Sequence, residues 1–184
     1  MNPNLPSTLV VIRHGESDAN KEAIISNKAI DHPLTDLGIA QAESTAILLQ
    51  EERFDVVISS TRQRALVTAQ IVNKLHNAEV FTTDDLIERD YGIFSGVCKD
   101  KAHKTMTADG FGWMEVPESE TSAELDARVN RVVEMISNSH SGKRILISTH
   151  EDVIRSFYRV LGGMTDDEAL ELQIDNATPH RFSA

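Results

Sequence analysis

Two histidines and several arginines stand directly after short apolar runs in a chain that is otherwise acidic. Arg13, His14 and Gly15 follow TLVVI at 8–12. Ser59, Ser60, Arg62 and Arg64 follow DVVI at 55–58, and Thr149 and His150 follow RILIS at 144–148. Arginine offers a planar fork of donors that matches phosphate oxygens in pairs, and backbone amides at a following helix start add more donors. A histidine is nucleophilic only when neutral, and neighbouring guanidinium cations lower its pKa and keep a lone pair available near neutral pH. Arg-His after a strand is by itself usually a surface or core pair. Three such segments converging on one place outline a phosphate pocket.

Convergence requires elements that deliver these residues to one edge. The three apolar runs are short, β-branched and continuous, the pattern of strands buried on both faces of a parallel sheet. Between them lie helical patterns. In 36–52, Ile39, Ala42, Ala46 and Leu49 share a face, with Thr35 and Asp36 as a cap. In 122–137 the helical spacing falls on Leu125, Val129, Val132, Val133 and Ile136. Residues 64–76 and 151–161 read as further helices, the second stopped by Gly162 and Gly163. Strands alternating with helices predict a three-layer α/β/α fold with right-handed crossovers. In such sheets ligands bind beyond the carboxyl ends of the strands, where Arg13, His14, Arg64 and His150 fall. Residues 89–120 hold Gly92, Gly96, Gly110, Gly112 and Pro117 with weak periodicity, which predicts loop and short helix, a lid candidate.

The 184 residues suit a single domain over 1–184, with 40% hydrophobic and 26% charged residues and no repeat. The net charge of -11, from 18 Lys plus Arg against 29 Asp plus Glu, opposes extended contact with nucleic acid. Cys98 is the only cysteine, so no internal disulfide forms; it reads as a small buried or half-buried residue in a reducing compartment. The N-terminal MNPNLPST has no basic region, and the apolar run ends at Arg13, so neither a signal peptide nor a membrane span is expected. A cytoplasmic protein with a small phosphorylated substrate and no membrane partner is the expectation. Oligomeric state stays open.

The segment VIRHGESDAN resembles the signature of the histidine phosphatase superfamily, which also contains the cofactor-dependent phosphoglycerate mutases. Five further segments follow in that family's order: HPLTDLGIAQA, DVVISSTRQRALVTA, LIERDYGIFSG, ESETSAELDAR and ISTHEDVIR. RHG alone is a weak match, but six ordered segments over residues 8–182 are specific. The resemblance implies a phosphoglycerate mutase-like fold with a mostly parallel central sheet, needing no metal or cofactor.

It also implies roles. His14 would be the nucleophile, Arg13 a phosphate clamp, and His150 a donor to a phosphoryl oxygen. Arg64 would be the second clamp, because it precedes Ala65 and lies four before Thr68; Arg62 is the reserve. Asn20 is a further phosphate contact. Glu88, solvated as a bare residue, matches the family's proton donor. The implied reaction is phosphomonoester hydrolysis through a phosphohistidine. Mutase-type phosphoryl transfer and a non-catalytic phosphate-binding regulatory module are the alternatives.

This chain departs from the family on the substrate side. Glu151 and Asp152 stand where glycine usually follows the second histidine. They could raise the pKa of His150 or favour a less charged or cationic substrate, but acids at a helix N-terminus are expected to face solvent. No glycine lies between Gly15 and Gly38, and Pro117-Glu118-Ser119 replaces the family's GES glycine. The long mutase insertions are missing, which favours hydrolysis. Trp113 and residues 97–118 are expected to matter for the substrate. A serine hydrolase reading of Gly15-Glu16-Ser17-Asp18-Ala19 fails at its fifth position. Lys104 stands where a Cys98 phosphatase would need arginine, and the histidines have no zinc-ligand spacing.

Overall fold

The computed structural model describes residues 7–25, 31–109 and 116–184. Strands β1 (Thr8–Arg13), β2 (Val56–Ser60), β3 (Glu79–Thr83), β4 (Arg144–Thr149) and β5 (Pro179–Ser183) form one sheet in the order β3, β2, β4, β1, β5. β1 runs parallel to β4, β4 to β2 and β2 to β3; only β5 is antiparallel, on β1. The helices are α1 (Asp18–Lys21), α2 (Asp36–Leu48), α3 (Gln63–Asn73), α4 (Lys99–Asp109), α5 (Ser122–Ser139), α6 (Glu151–Gly162) and α7 (Asp166–Leu170).

Alternation along the strands creates the three layers, because successive side chains point to opposite faces. Leu9, Val11, Ile58, Ile145 and Ile147 pack with Leu125, Val129, Val132 and Ile136 of α5 and Val153, Ile154 and Phe157 of α6. From the other face Val10, Ile12, Val57 and Leu146 meet Leu49, after α2, and Ala69 and Val72 of α3. Both faces are covered, so the central strands carry unbroken apolar runs. The expected three-layer α/β/α fold with a mostly parallel sheet is what forms.

The caps match the sequence in detail. The Thr35 hydroxyl accepts the Gly38 amide at the start of α2, and Gly163, at φ 69°, ends α6 in the left-handed region that glycine adopts freely. Ile39, expected on the buried face of α2, is 38% exposed, whereas Ala42, Ala46 and Leu49 are buried. The sheet takes one stripe of α2, and Ile39 lies outside it.

The edge strands were not legible. β3 (EVFTT) is polar and half-exposed, and β5 begins with Pro179, which has no N–H to donate and is tolerated at an edge. The 89–120 segment contains more helix than anticipated, since α4 runs for 11 residues. A satellite cluster of Ile25, Phe94, Ala102 and Val116 holds it together. Cys98, expected to be buried or half-buried, is exposed. It sits just before α4, where the burden of packing passes to Val97 and Ala102.

Candidate active site

The turn after β1 depends on two glycines packed backbone to backbone. A Cβ on Gly15 would lie 2.2 Å from the Gly38 carbonyl oxygen, and one on Gly38 would lie 2.0 Å from that of Glu16. No larger residue fits either position, so the start of α2 fixes the course of the chain past His14. Thr68 completes the anchor: its hydroxyl accepts the Gly15 amide at 3.0 Å and donates to the Arg64 carbonyl at 2.8 Å. From the far end of the chain, Asn176 donates to the His14 carbonyl at 2.8 Å.

His14 is 3% exposed, and its Nδ1 lies 2.7 Å from the Gly15 carbonyl oxygen. A carbonyl can only accept, so Nδ1 carries the ring proton and Nε2 holds the lone pair. Arg64 Nε donates to that Nε2 at 3.1 Å. Burial first, then the Arg64 and Arg13 cations, hold the imidazole pKa well below its usual 6.5. The sequence identified the cations; burial is the larger cause.

Arg64, from the first turn of α3, is 2% exposed and joins both histidines. Its Nη2 lies 3.2 Å from His150 Nδ1, and Asp31 stands 3.5 Å from its Nη1. His150 Nε2 meets the Ser60 hydroxyl at 2.9 Å, and the two imidazole centroids are 5.1 Å apart, edge to face. Burial and the Arg64 cation hold His150 well below 6.5, so Glu151 and Asp152 do not raise it. Arg62 is the N-cap residue of α3, and Arg64 is the arginine that bonds both histidines.

Arg13, His14, Asn20 and Glu88 line a cavity of about 300 Å³, together with Ile24, Ile25, Arg89, Tyr91, Lys99, Glu151, Asp152, Arg155 and Leu170. Arg64 and His150 are not among the lining residues; Arg64 joins the two rings and keeps its Nη1, near Asp31, without a hydrogen-bond partner. Asn20 Oδ1 is held by the Ser17 amide and hydroxyl at 3.1 and 3.0 Å, which leaves Nδ2 as the group it can offer a ligand. Ser17 thus meets Asn20 and no histidine, contrary to what a serine hydrolase needs.

Glu88 is positioned by a second anchor. Arg128 grips Glu120 through two hydrogen bonds, at 2.6 and 2.9 Å, and donates to the Asp85 carbonyl at 2.8 Å. The Thr149 hydroxyl donates to the Leu86 carbonyl at 2.7 Å. These bonds hold the 3₁₀ turn Asp84–Leu86 at the end of β4, two residues before Glu88. The Glu88 carboxyl accepts the backbone N–H groups of Arg89 at 3.0 Å and of Glu151 and Asp152 at 3.2 Å each. The amides at the start of α6, expected for phosphate, are therefore occupied by Glu88. Burial, with the Asp152 and then the Glu151 carboxylates, pushes its pKa up to about 7, against the Arg89 amide and the Arg64 cation.

Glu151 and Asp152 face the cavity rather than solvent. Glu151 lies 3.1 Å from Arg13 and 2.7 Å from Arg155, and Asp152 lies 2.7 Å from Arg155 and accepts the Tyr91 hydroxyl. Arginine partners outweigh hydration for acids this buried, Asp152 being 6% exposed. Tyr91, Arg89, Lys99 and Arg155 were not singled out from sequence. Arg155 ends the ISTHEDVIR segment one helical turn after Glu151, a spacing that points to an ion pair. Trp113 lies outside the described residues. Among the described residues, no three His, Cys, Asp or Glu side chains are grouped to hold a metal, and no helix is long and apolar enough to cross a membrane.

A family model described as histidine phosphatase superfamily (branch 1) matches residues 9–183. Phosphoserine phosphatase 1 of Hydrogenobacter thermophilus is 28% identical over 176 residues, covering 92% of this chain and 83% of its own. A 2,3-bisphosphoglycerate-dependent phosphoglycerate mutase of Rhizobium meliloti is 30% identical over 188 residues, covering 95% and 89%. Among solved structures, a putative alpha-ribazole-5'-P phosphatase from Escherichia coli superposes with a TM-score of 0.82 at 26% identity, over 96% of this chain and 90% of that one.

Proposed function

Because the chain belongs to the histidine phosphatase superfamily, we propose that it hydrolyses a small phosphomonoester through a phosphohistidine formed on His14. The observation that carries this reading is His14 itself: a buried neutral imidazole whose Nε2 lone pair is held by Arg64, on the wall of a cavity that Arg13 and Glu88 share.

Phosphate entering the cavity competes with His14 for Arg64 and draws the guanidinium onto its oxygens. Nε2 is then free to attack phosphorus in line as the ester P–O bond breaks. Glu88, whose raised pKa of about 7 keeps a substantial protonated fraction near neutral pH, gives its proton to the leaving alcohol oxygen. Water next attacks the phosphohistidine, Glu88 takes its proton back, and the P–N bond breaks to release inorganic phosphate and neutral His14. His150 acts beside the ring. With Arg64 drawn away, the Ser60 hydroxyl can donate to Nε2, and the tautomer protonated at Nδ1 donates to a phosphoryl oxygen. Arg13 and Arg64 supply the positive charge that metal ions supply in other phosphoryl-transfer enzymes, so the scheme uses no metal or cofactor. The reading includes one domain along the chain and a cytoplasmic setting, which suits a lone cysteine.

The test is hydrolysis of p-nitrophenyl phosphate in the presence of a chelator, with acid-labile phosphate on His14 trapped by rapid quenching into base. The wild type is expected to turn over and to label, and His14→Ala to do neither. Retained activity in His14→Ala would overturn the nucleophile assignment. The mutase relatives motivate a second reading, and transfer of phosphate between the hydroxyls of phosphoglycerate in preference to water would establish it.

A further inference from the structure

We infer that Glu151 makes this pocket selective for phosphomonoesters of small amino alcohols, in which an ammonium group lies close to the ester oxygen. The inference rests on the phosphatase reading above and adds the class of leaving group.

It begins with the donors of Arg13. Its Nη1 is held by the Ile174 carbonyl at 2.7 Å, so the guanidinium edge left for a phosphate is Nε with Nη2. Nε is buried without a hydrogen-bond partner, and Nη2 carries Glu151 Oε2 at 3.1 Å. A phosphoryl group that takes this edge in the paired geometry arginine favours must displace the Glu151 carboxylate. Arg155 keeps its hold on the other carboxylate oxygen, Oε1, and so does not replace Arg13 at Oε2, although its own Nε is buried without a hydrogen-bond partner. Its Nη2 already holds Glu151 Oε1 at 2.7 Å and the Leu172 carbonyl at 3.1 Å, and its Nη1 holds Asp152 at 2.7 Å.

Substrate binding therefore leaves a carboxylate oxygen without its cation beside a bound phosphate dianion. The repulsion is relieved if the substrate supplies a cation at that point. That point lies on the wall shared with the proton donor: Glu151 and Glu88 line the same cavity, and the Glu151 amide donates to the Glu88 carboxyl assigned to the leaving oxygen. A leaving group that takes its proton from Glu88 therefore departs on the side of the cavity that carries Glu151. The cavity of about 300 Å³ admits only a small one. Lys99 and Arg89 also line it and would favour an anionic leaving group instead, which gives the idea a direct competitor.

Three probes of similar size separate these outcomes: O-phosphorylethanolamine, propyl phosphate and phosphoglycolate, with p-nitrophenyl phosphate as reference. One partly buried ion pair predicts kcat/KM roughly 10-fold higher for phosphorylethanolamine than for propyl phosphate. In Glu151→Gln and Glu151→Ala the preference should shrink to about 2-fold or less, and inorganic phosphate should inhibit more strongly because Arg13 no longer has a competing carboxylate. Equal kcat/KM for phosphorylethanolamine and propyl phosphate in the wild type, preference for phosphoglycolate, or a preference that survives in both variants would each overturn the assignment. None of these disturbs the phosphatase reading as long as the aryl phosphate is hydrolysed at His14; failure there removes both.

Discussion

Replacing Glu88 with glutamine should make the protein a poor catalyst and, at alkaline pH, a more stable one. Moving the Glu88 carboxyl from 4.5 to about 7 means that the fold disfavours its charged form, by about 3 kcal/mol. The folded pKa lies above the unfolded one, so Glu88 contributes its full share of stability below 4.5 and loses it as pH rises through 7. Glu88→Gln removes that titration. Glutamine also places an NH₂ group against one of the three backbone amides that the carboxyl accepts, which costs about 1 kcal/mol at every pH. Comparing the wild type with the variant at about pH 5 and about pH 8 cancels the constant part and leaves about 2 to 3 kcal/mol in favour of the variant at the higher pH. In a chain of 184 residues that is roughly 5 to 10 °C in the difference of melting temperatures. Meanwhile kcat on an alkyl phosphate should fall by about 10² to 10⁴, the usual contribution of a positioned general acid. A melting-temperature difference that does not change with pH would refute the burial and carboxylate crowding assigned to Glu88.

Asp152→Asn removes the carboxylate that, after burial, most raises the Glu88 pKa, so the alkaline limb of the kcat profile should move to lower pH; a stationary limb would show that Asp152 does not act on the proton donor. His14 and His150 are both held well below 6.5, so their imidazole proton resonances should stay in the neutral form through that pH, and titration at the ordinary value would contradict their burial. Gly15→Ala drives a Cβ to 2.2 Å from the Gly38 carbonyl oxygen; overpacking of this kind costs about 1–3 kcal/mol. It should lower the melting temperature by several degrees and displace His14, which a coupled loss of kcat would report.

The layered fold was legible because its physics is local. β1, β2 and β4 are buried on both faces, and a strand of that kind needs an uninterrupted apolar run that can be read without any partner. Thr35 and Gly163 were legible for the same reason, since a cap is a contact between residues a few positions apart. β3 and β5 were not, because edge strands earn their place from one neighbour and carry polar residues and a proline that alone suggest loop. Ile39 shows the limit of helical periodicity, which identifies an apolar stripe but not how much of it the sheet will cover.

The site divides along the same line. The residue types and the order of its motifs named His14, Arg13, Arg64, Glu88 and His150, and the strand-end rule drew four of them to one edge of the sheet. Charge alone suggested why His14 is neutral. Only the tertiary structure decided that Arg13 and Glu88 face the cavity while Arg64 bonds both imidazoles and, like His150, does not line it. It also turned Glu151 and Asp152 inward, where helix-terminus reasoning had turned them to solvent. The reason is physical: Arg155, on the same helix, could be read along the chain, but Arg13 comes from another strand and Tyr91 from a distant turn, and these turn the two acids inward only once the fold brings them together. Sequence determines which groups exist and which are near in the chain; the competition among charges separated by more than a hundred residues is resolved only when folding removes the water between them.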